Sequence, residues 1–421
     1  MVGRISSAEI YRVGITSVID AQRLLQRTQE ELASGTPILQ PSDDPVASAQ
    51  ISGLRTDLQR LETLQINTTR AESTLAYEDQ ALQGAEDILR RARELTIQAN
   101  NSTLTNDDRK TIGTEIDGLL QRLVTVGNAQ SADGEYIFAG YNSKEVPYVL
   151  NSSGAVEVVD YNGDDGVREI NIAVGITVQV NDPGSFVFNA TPGNGSYVVA
   201  ASGTNAGTGV VTITTADATF DSTQDYTLSF VQAAPTDPIT WEVRDAAATV
   251  IASGNYGAGG SINFPGASIF VEGTPANGDS FSIVGNDSAP NGAPPPATLP
   301  RYQSAFDTLI AIRDALTTPS NETDAGRART DTVLNQSLYN LDQNLEQISL
   351  VRTEIGVRLN RVEGQVDLNS AFNIQLERTL GELEGLDYAD AISELQLQLV
   401  ALEAAQQTFV KTTGLSLFNY L

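Results

Sequence analysis

The 421-residue chain carries 25 basic and 53 acidic side chains, which gives a net charge of −28, and it contains neither cysteine nor histidine. The missing cysteine excludes disulfides, thiolate nucleophiles and cysteine metal sites, and the missing histidine removes the commonest general base and zinc ligand. Such an acidic chain repels nucleic-acid phosphates, and no apolar run approaches the length that spans a membrane. We therefore expect no catalytic residues, no cofactor, no metal, and neither nucleic acid nor membrane as a partner.

A first helix is predicted over residues 5–33, ending at a Ser34-Gly35 C-cap. Side chains along it alternate three and four residues apart, which is the narrow seam of a coiled coil. The predicted seam contains Tyr11, Ile15, Val18, Gln22, Leu25, Gln29 and Leu32. A seam of this kind requires a helical partner.

A turn follows, because Pro37 and Pro41 interrupt the helical pattern. The predicted structural turn comprises Pro41, Ser42, Asp43, Asp44 and Pro45. We expect Ser42 or Asp43 to cap the next helix, with Asp44 in its first turn and Pro45 at its first position. Two adjacent carboxylates could also bind a metal, but capping is the favoured role.

Two long helices are predicted in the middle of the chain. One covers residues 46–99 in a single heptad phase, and a second path from Leu334 to Val366 can lie antiparallel on it. Between them, residues 105–108 are predicted to begin a shorter helix. The negative charges of Asp107 and Asp108 suit the positive end of its dipole. These segments predict a helical bundle.

The hydrophobic period changes at residues 135–141, which are aromatic, β-branched and bounded by glycine, so we predict a strand or hairpin there. Short alternating runs separated by turn residues continue to about residue 300. The lone Trp241 is predicted to anchor a small β core. Residues 286–300 form a proline-rich linker.

The predicted fold is α+β and multidomain, in three parts. Residues 1–40 with 386–421 form a terminal coiled-coil assembly domain, and residues 41–145 with 300–385 form a helical-bundle domain with a β-hairpin. Residues 146–299 form a β-rich outer region, with a nested β-sandwich at about 190–288.

The C-terminal helix repeats the seam of the first helix, through Ile392, Leu395, Leu399, Leu402, Gln406 and Phe409. Both terminal helices also hold apolar residues that one seam leaves out, including Ile19, Leu24 and Leu397. A helix pair of this kind is marginal in water, so packing against neighbouring subunits is expected to complete it. We predict that the termini are weakly ordered in the monomer. The predicted subunit contacts are Tyr11, Ile15, Val18, Leu25, Leu32, Ile392, Leu395, Leu399, Leu402 and Phe409.

Three segments resemble the bacterial flagellin superfamily, and within it the branch at the junction between hook and filament. They are the turn from Pro41 to Pro45, the residues from Asp107 to Tyr141, and the closing Gly414-Leu415-Ser416-Leu417-Phe418. The resemblance covers about residues 1–145 and 300–421 and leaves out the β insertion.

The resemblance implies a structural flagellar protein of cell motility, exported unfolded through the flagellar type III channel. This agrees with residues 2–7, which lack the apolar core of a cleaved signal peptide. It also implies an extracellular homo-oligomer, packed as an eleven-fold ring or helical layer between a hook-side junction protein and flagellin. An export chaperone is expected to cover the C-terminal helix before assembly.

Two alternatives remain open. The chain could be a flagellin-like filament subunit, which would share the terminal helices. It could also be a carbohydrate-binding or carbohydrate-active protein, with Trp241, Tyr197, Tyr226 and Tyr256 in the β region as sugar-stacking faces. A phage-tail or autotransporter-like structural protein is a weaker third possibility.

Overall fold

The structure, a computed structural model, describes residues 7–153, 156–188, 197–216, 224–285, 304–318 and 323–414. The helices are α1 Ser7–Ser34, α2 Pro45–Ala99, α3 Asn106–Gly127, α4 Gly184–Phe188, α5 Ala305–Thr317, α6 Asp324–Glu384 and α7 Tyr388–Gly414. The strands are β1 Tyr148–Ser153, β2 Val156–Tyr161, β3 Glu169–Ala173, β4 Ile176–Gln179, β5 Tyr197–Ala201, β6 Val210–Ala216, β7 Asp225–Val231, β8 Thr240–Arg244, β9 Val250–Asn255, β10 Gly260–Phe264, β11 Ala267–Glu272 and β12 Ser280–Gly285. The predicted long helices and the all-β middle are confirmed. The predicted linker at 286–300 and the closing residues 415–421 lie outside the described residues.

The chain divides into two compact units, Met1–Asn67 with Gly364–Leu421 and Thr68–Glu363. The first is built from α1, α7 and parts of α2 and α6. The helices α2 and α6 run antiparallel, and in this unit Arg55 on α2 binds Glu384 on α6 at 2.8 Å. The three-part domain boundaries given above stay a prediction.

The second unit has a helical core in which α2 and α6 again run antiparallel. Arg93 on α2 binds Asp342 on α6 at 2.6 Å, and Arg352 on α6 binds Asp79 on α2 at 2.9 Å. Fully buried leucine and isoleucine side chains recur at heptad spacing on both helices, at Leu75, Leu82, Leu89, Leu334, Leu341 and Ile348. The same core includes α3 and α5.

The predicted capping of α3 is confirmed. The Thr105 hydroxyl accepts the Asp108 amide at 3.2 Å, and the Asp108 carboxylate accepts the Thr105 amide at 3.1 Å. This reciprocal pair satisfies two amides that a helix start otherwise leaves unbonded. The hydrogen bonds from Thr105 lower the pKa of Asp108, so its negative charge stays at the positive end of the helix dipole.

The strand or hairpin predicted at residues 135–141 is wrong. The segment is a series of turns with a single bridge between Gln130 and Tyr136. Consecutive side chains, Ile137 and Phe138, are both buried in the helical core, whereas a strand would place them on opposite faces. Gly140 has φ +68°, a left-handed conformation that ends any extended path.

The β region contains two hairpins and a sandwich. Strands β1–β2 and β3–β4 form the hairpins. The sandwich packs a five-stranded sheet, ordered β5-β12-β7-β8-β9, on a three-stranded sheet, ordered β10-β11-β6. Its core includes Leu228, Phe230, Val243, Ile269 and Phe281. Every strand pairing in the described residues is antiparallel.

Helix α6 closes two edges of this sandwich. Gln336 accepts the backbone amide of Val199 on edge strand β5 at 3.2 Å, and Thr332 accepts that of Val211 on edge strand β6 at 3.3 Å. Edge strands expose unpaired amides that invite intermolecular pairing. The α6 side chains satisfy these two amides, and they fix the sandwich on the helical core of its unit.

Candidate assembly surface

The two terminal helices pair antiparallel with each other. The Tyr11 ring near the start of α1 lies 5.2 Å from the Phe409 ring near the end of α7. At the opposite end of the pair, the Leu386 amide donates to the Gly35 carbonyl at 3.2 Å. One chain therefore brings its two predicted seams together.

The phase of the seam differs from the predicted one. Seam residues Val18, Leu25 and Leu32 on α1 and Leu395, Leu402 and Phe409 on α7 are half-buried, whereas Ile15, Ile392 and Leu399 are exposed. Small residues occupy the intervening contact positions. A Cβ added to Gly14 would lie 2.8 Å from the Phe409 ring, so the missing side chain allows the close approach. A pattern read from apolar side chains overlooks glycine and alanine as contact positions.

Apolar side chains on both flanks of the seam therefore remain exposed, and we call this set the exposed apolar stripe of the helix pair. On α1 it includes Ile15, Ile19 and Leu24, exposed by 38%, 46% and 55%. On α7 it includes Ile392 and Leu399, exposed by 46% and 47%, and Leu397, exposed by 71%. Large apolar side chains that remain exposed in this number are typical of a protein–protein interface.

The turn between α1 and α2 is fixed by two carboxylates, with roles that differ from those predicted. Asp44, rather than Ser42 or Asp43, caps α2, because its Oδ1 accepts the amides of Val46 at 3.0 Å and Ala47 at 2.9 Å. Pro45 occupies the first helical position, as predicted. Asp44 can reach these amides because it directly precedes the first helical residue.

Asp43 turns back toward the preceding segment. Its Oδ2 accepts the amides of Leu39 at 3.2 Å and Gln40 at 2.9 Å, and its Oδ1 lies 3.5 Å from the Arg27 guanidinium on α1. Gly35, directly after the end of α1, has φ +73°, and a Cβ added there would lie 2.8 Å from the Tyr388 hydroxyl. These contacts set the direction in which the chain leaves α1 and enters the turn.

Among the described residues, no group of three acidic or other metal-ligating side chains could hold a metal ion. The searched helices include none long and apolar enough to cross a membrane. The Glu78 side chain is fully buried in the second unit, and its carboxyl accepts the Asp182 amide at 2.8 Å. Burial first, and then the charge of Asp182, raise the pKa of Glu78 well above its ordinary value. Asp182 in turn binds the Arg358 guanidinium at 2.7 and 3.0 Å.

This buried cluster joins α2, the segment after β4, and α6. Sequence reasoning missed it, because 104 residues separate Glu78 from Asp182 and 176 separate Asp182 from Arg358. A fully buried carboxyl with no access from solvent cannot act on a substrate. We assign these residues to the helical core.

The aromatic residues proposed as sugar-stacking faces in the β region mostly have rings that pack within the protein. Tyr226 is only 7% exposed, and the Tyr256 hydroxyl donates to the Gly273 carbonyl at 2.6 Å while its ring packs edge-on against Phe230. Trp241 is half-buried. Its ring lies so close to Gly254 that a Cβ added to this glycine would be 2.9 Å from the ring. The Tyr197 side chain lies outside what the structure describes. The tryptophan therefore packs against the sandwich core, in agreement with its predicted role.

The comparisons with known proteins agree with a helical, assembly-forming molecule. Residues 6–143 match the family model for the bacterial flagellin N-terminal helical region. A crystal structure of flagellar hook-associated protein 3 from Legionella pneumophila is similar at a TM-score of 0.69 and 31% identity, over 79% of this chain and 98% of that one. The flagellar hook-associated protein 3 of Escherichia coli K12 is 22% identical over 99% of both chains.

A flagellin from Listeria innocua is 25% identical, but over only 48% of this chain and 62% of the flagellin. The fold and the terminal helices thus define a flagellin-like structural protein. Within that class, the Escherichia coli hook-associated protein matches nearly the whole chain, whereas the Listeria flagellin matches about half of it. This difference favours the hook-associated branch over a filament subunit. The chain belongs to the flagellar hook-associated protein 3 family and is a structural component of the flagellum.

Proposed function

We propose that this chain joins the hook to the filament, and that the exposed apolar stripe of α1 and α7 packs against neighbouring subunits. The observation that carries the proposal is this stripe, which includes Leu397 at 71% exposure. Burying an apolar side chain of this size contributes roughly 1.5–3 kcal/mol. Several such side chains supply enough free energy to drive association of the helix pair with its neighbours.

The predicted contact residues then fall into two groups. Those half-buried within the chain, Val18, Leu25, Leu32, Leu395, Leu402 and Phe409, hold the helix pair together. The exposed ones, Ile15, Ile392 and Leu399, face the neighbouring subunits. Tyr11 belongs to both groups, because its ring contacts Phe409 and is still 52% exposed.

Membership in this family supports a proposal for the partners. The subunit forms a homo-oligomeric layer, an eleven-fold ring or helix, between a hook-side junction protein and flagellin. An export chaperone covers α7 before assembly, since its stripe would otherwise aggregate. The chain leaves the cell unfolded through the flagellar channel. It has no enzymatic role, because its working parts are contact surfaces.

Deleting the gene in its host tests this function. The proposal predicts cells that keep their hooks, lack filaments and release flagellin into the medium, with filaments restored when the gene is supplied on a plasmid. Normal filaments in the deletion strain would contradict the proposal. The isolated β region would then be the place to look for function.

A further inference from the structure

Asparagine followed directly by glycine occurs twice in the described residues, and the structure holds the two pairs differently. The pair in the sandwich is firmly bonded. The Gly278 amide donates to the Phe230 carbonyl at 2.8 Å, and the glycine has φ +92°. The side-chain oxygen of Asn277 accepts the Gln232 amide at 2.9 Å. Both members of this pair are therefore fixed by hydrogen bonds.

The other pair, Asn162 and Gly163, directly follows β2 and is held less tightly. The Asn162 backbone amide donates to the Pro147 carbonyl at 2.8 Å, but its side chain is exposed and has no hydrogen bond within the part of the chain that the structure describes. The Gly163 amide likewise donates to none of the described residues. Both pairs are followed by an aspartate, Asp164 or Asp279, so the local sequence is the same.

An asparagine side chain beside a free glycine amide can react without an enzyme. The Gly163 nitrogen attacks Cγ of Asn162 and loses its proton, and the side-chain nitrogen leaves as ammonia, which gives a five-membered succinimide. Water then opens either carbonyl of this ring. One product is aspartate, and the other is isoaspartate, in which the backbone runs through Cβ and Cγ. Glycine leaves the approach to Cγ clear because it has no side chain.

Glycines that follow aspartate outside the helices provide a further comparison, because the same ring forms there with loss of water. The Gly134 amide donates to the Ser131 carbonyl at 2.9 Å, and the Gly166 amide donates to the Asp164 carboxylate at 2.7 Å. Each amide would have to break its hydrogen bond before it could attack. Gly163 has no such bond to break.

We propose that Asn162 is a site of spontaneous deamidation in the folded chain and that Asn277 is protected from it. The two sites share the reacting groups and the following residue, so the difference between them comes from the hydrogen bonds of the fold. This modification involves a loop of the second unit, and it depends on neither the assembly surface nor the proposed junction function.

Conversion of Asn162 should disturb the way in which this loop holds a neighbouring segment. The Asp164 carboxylate accepts the Tyr141 amide at 2.8 Å, and the Tyr161 hydroxyl lies 2.9 Å from the Phe138 carbonyl. Isoaspartate lengthens the backbone between these two anchoring side chains by one methylene, and both products add a negative charge beside a carboxylate. We expect the Tyr141 amide to lose protection against hydrogen exchange.

The test follows both asparagines in one sample. The purified full chain is incubated at mildly alkaline pH, digested with trypsin and analysed by mass spectrometry, which detects the replacement of an amide by a carboxyl. We expect Asn162 to convert roughly tenfold faster than Asn277 or more, since two hydrogen bonds must open before Asn277 can react. In guanidinium chloride, where the fold is lost, the two rates should become similar.

Equal rates at the two asparagines in the folded chain, or faster conversion of Asn277, would overturn the proposal. A difference that persists unchanged in the unfolded chain would also overturn it, because the fold would then not be its cause. Asn162→Gln is the control for the structural effect, since a glutamine forms the corresponding ring far more slowly. After the same incubation, the Tyr141 amide should exchange faster in the native chain than in this variant, and equal exchange in fully converted chain would contradict the expected loosening.

Discussion

The ring of Tyr11 packs on the ring of Phe409, with the two centroids 5.2 Å apart, although 398 residues separate them in the chain. The pair shows that the two terminal helices meet within one molecule. Their meeting covers one side of each helix and leaves the other side exposed. Side chains on the two sides should therefore respond differently to substitution.

Leu402→Asp should weaken the helix pair in the isolated chain. Leu402 is half-buried between α7 and α1, and an aspartate there removes an apolar contact worth roughly 1 kcal/mol, about half the value for a fully buried leucine. We expect a lower helical signal and earlier thermal loss of the terminal helices, measured by circular dichroism. Leu397→Asp is the matched control, because Leu397 is 71% exposed. Equal losses in the two variants would argue against the observed seam.

Asp44→Ala should destabilise the start of α2. The carboxylate accepts two backbone amides, and loss of an N-cap typically costs about 1 kcal/mol. Asp44→Asn should retain most of the stability, since its amide oxygen can accept the same amides. The free energy of unfolding from denaturant titration measures both. An alanine variant as stable as the asparagine variant would show that Asp44 does not act as the cap.

Glu78→Gln should alter how stability depends on pH. Because burial raises the pKa of Glu78 well above its unfolded value near 4.5, the folded chain binds a proton that the unfolded chain releases. This lowers the free energy of unfolding progressively as the pH rises from about 4.5 toward the raised pKa. Glutamine imitates the protonated acid and removes this contribution.

The variant should therefore match the native chain at pH 4 and become relatively more stable toward neutral pH. Denaturant titrations of both chains across this range give the difference directly. Arg378→Gln, which removes the exposed partner of Glu382, is a control for general effects of charge. Parallel pH profiles for the native chain and Glu78→Gln would mean that Glu78 is ionised in the folded chain.

Much of the fold could be predicted from the sequence because helices and strands have different hydrophobic periods. The heptads of α2 and α6 extend over many turns, so errors at single positions average out. Residues 135–141 carry a strong strand composition, but Ile137 and Phe138 both enter the helical core. Local composition contains no information about that core, and tertiary packing determined the outcome.

The assembly surface was harder to predict at the level of single residues. The sequence identified both terminal seams but not the contribution of Gly14, whose missing side chain makes room for Phe409. The Glu78–Asp182–Arg358 cluster could not be predicted, since each residue alone is an ordinary charged side chain. Only the fold brings these three residues together.

The most direct test of the assembly account is Leu399→Asp in the deletion strain. Leu399 is 47% exposed on the outer side of α7, so the purified variant should keep native helicity and thermal stability. The account predicts that its cells export the variant but form no filaments, whereas cells with the native gene regain them. Filaments of normal number and length on cells carrying Leu399→Asp would contradict the claim that this exposed stripe packs against neighbouring subunits.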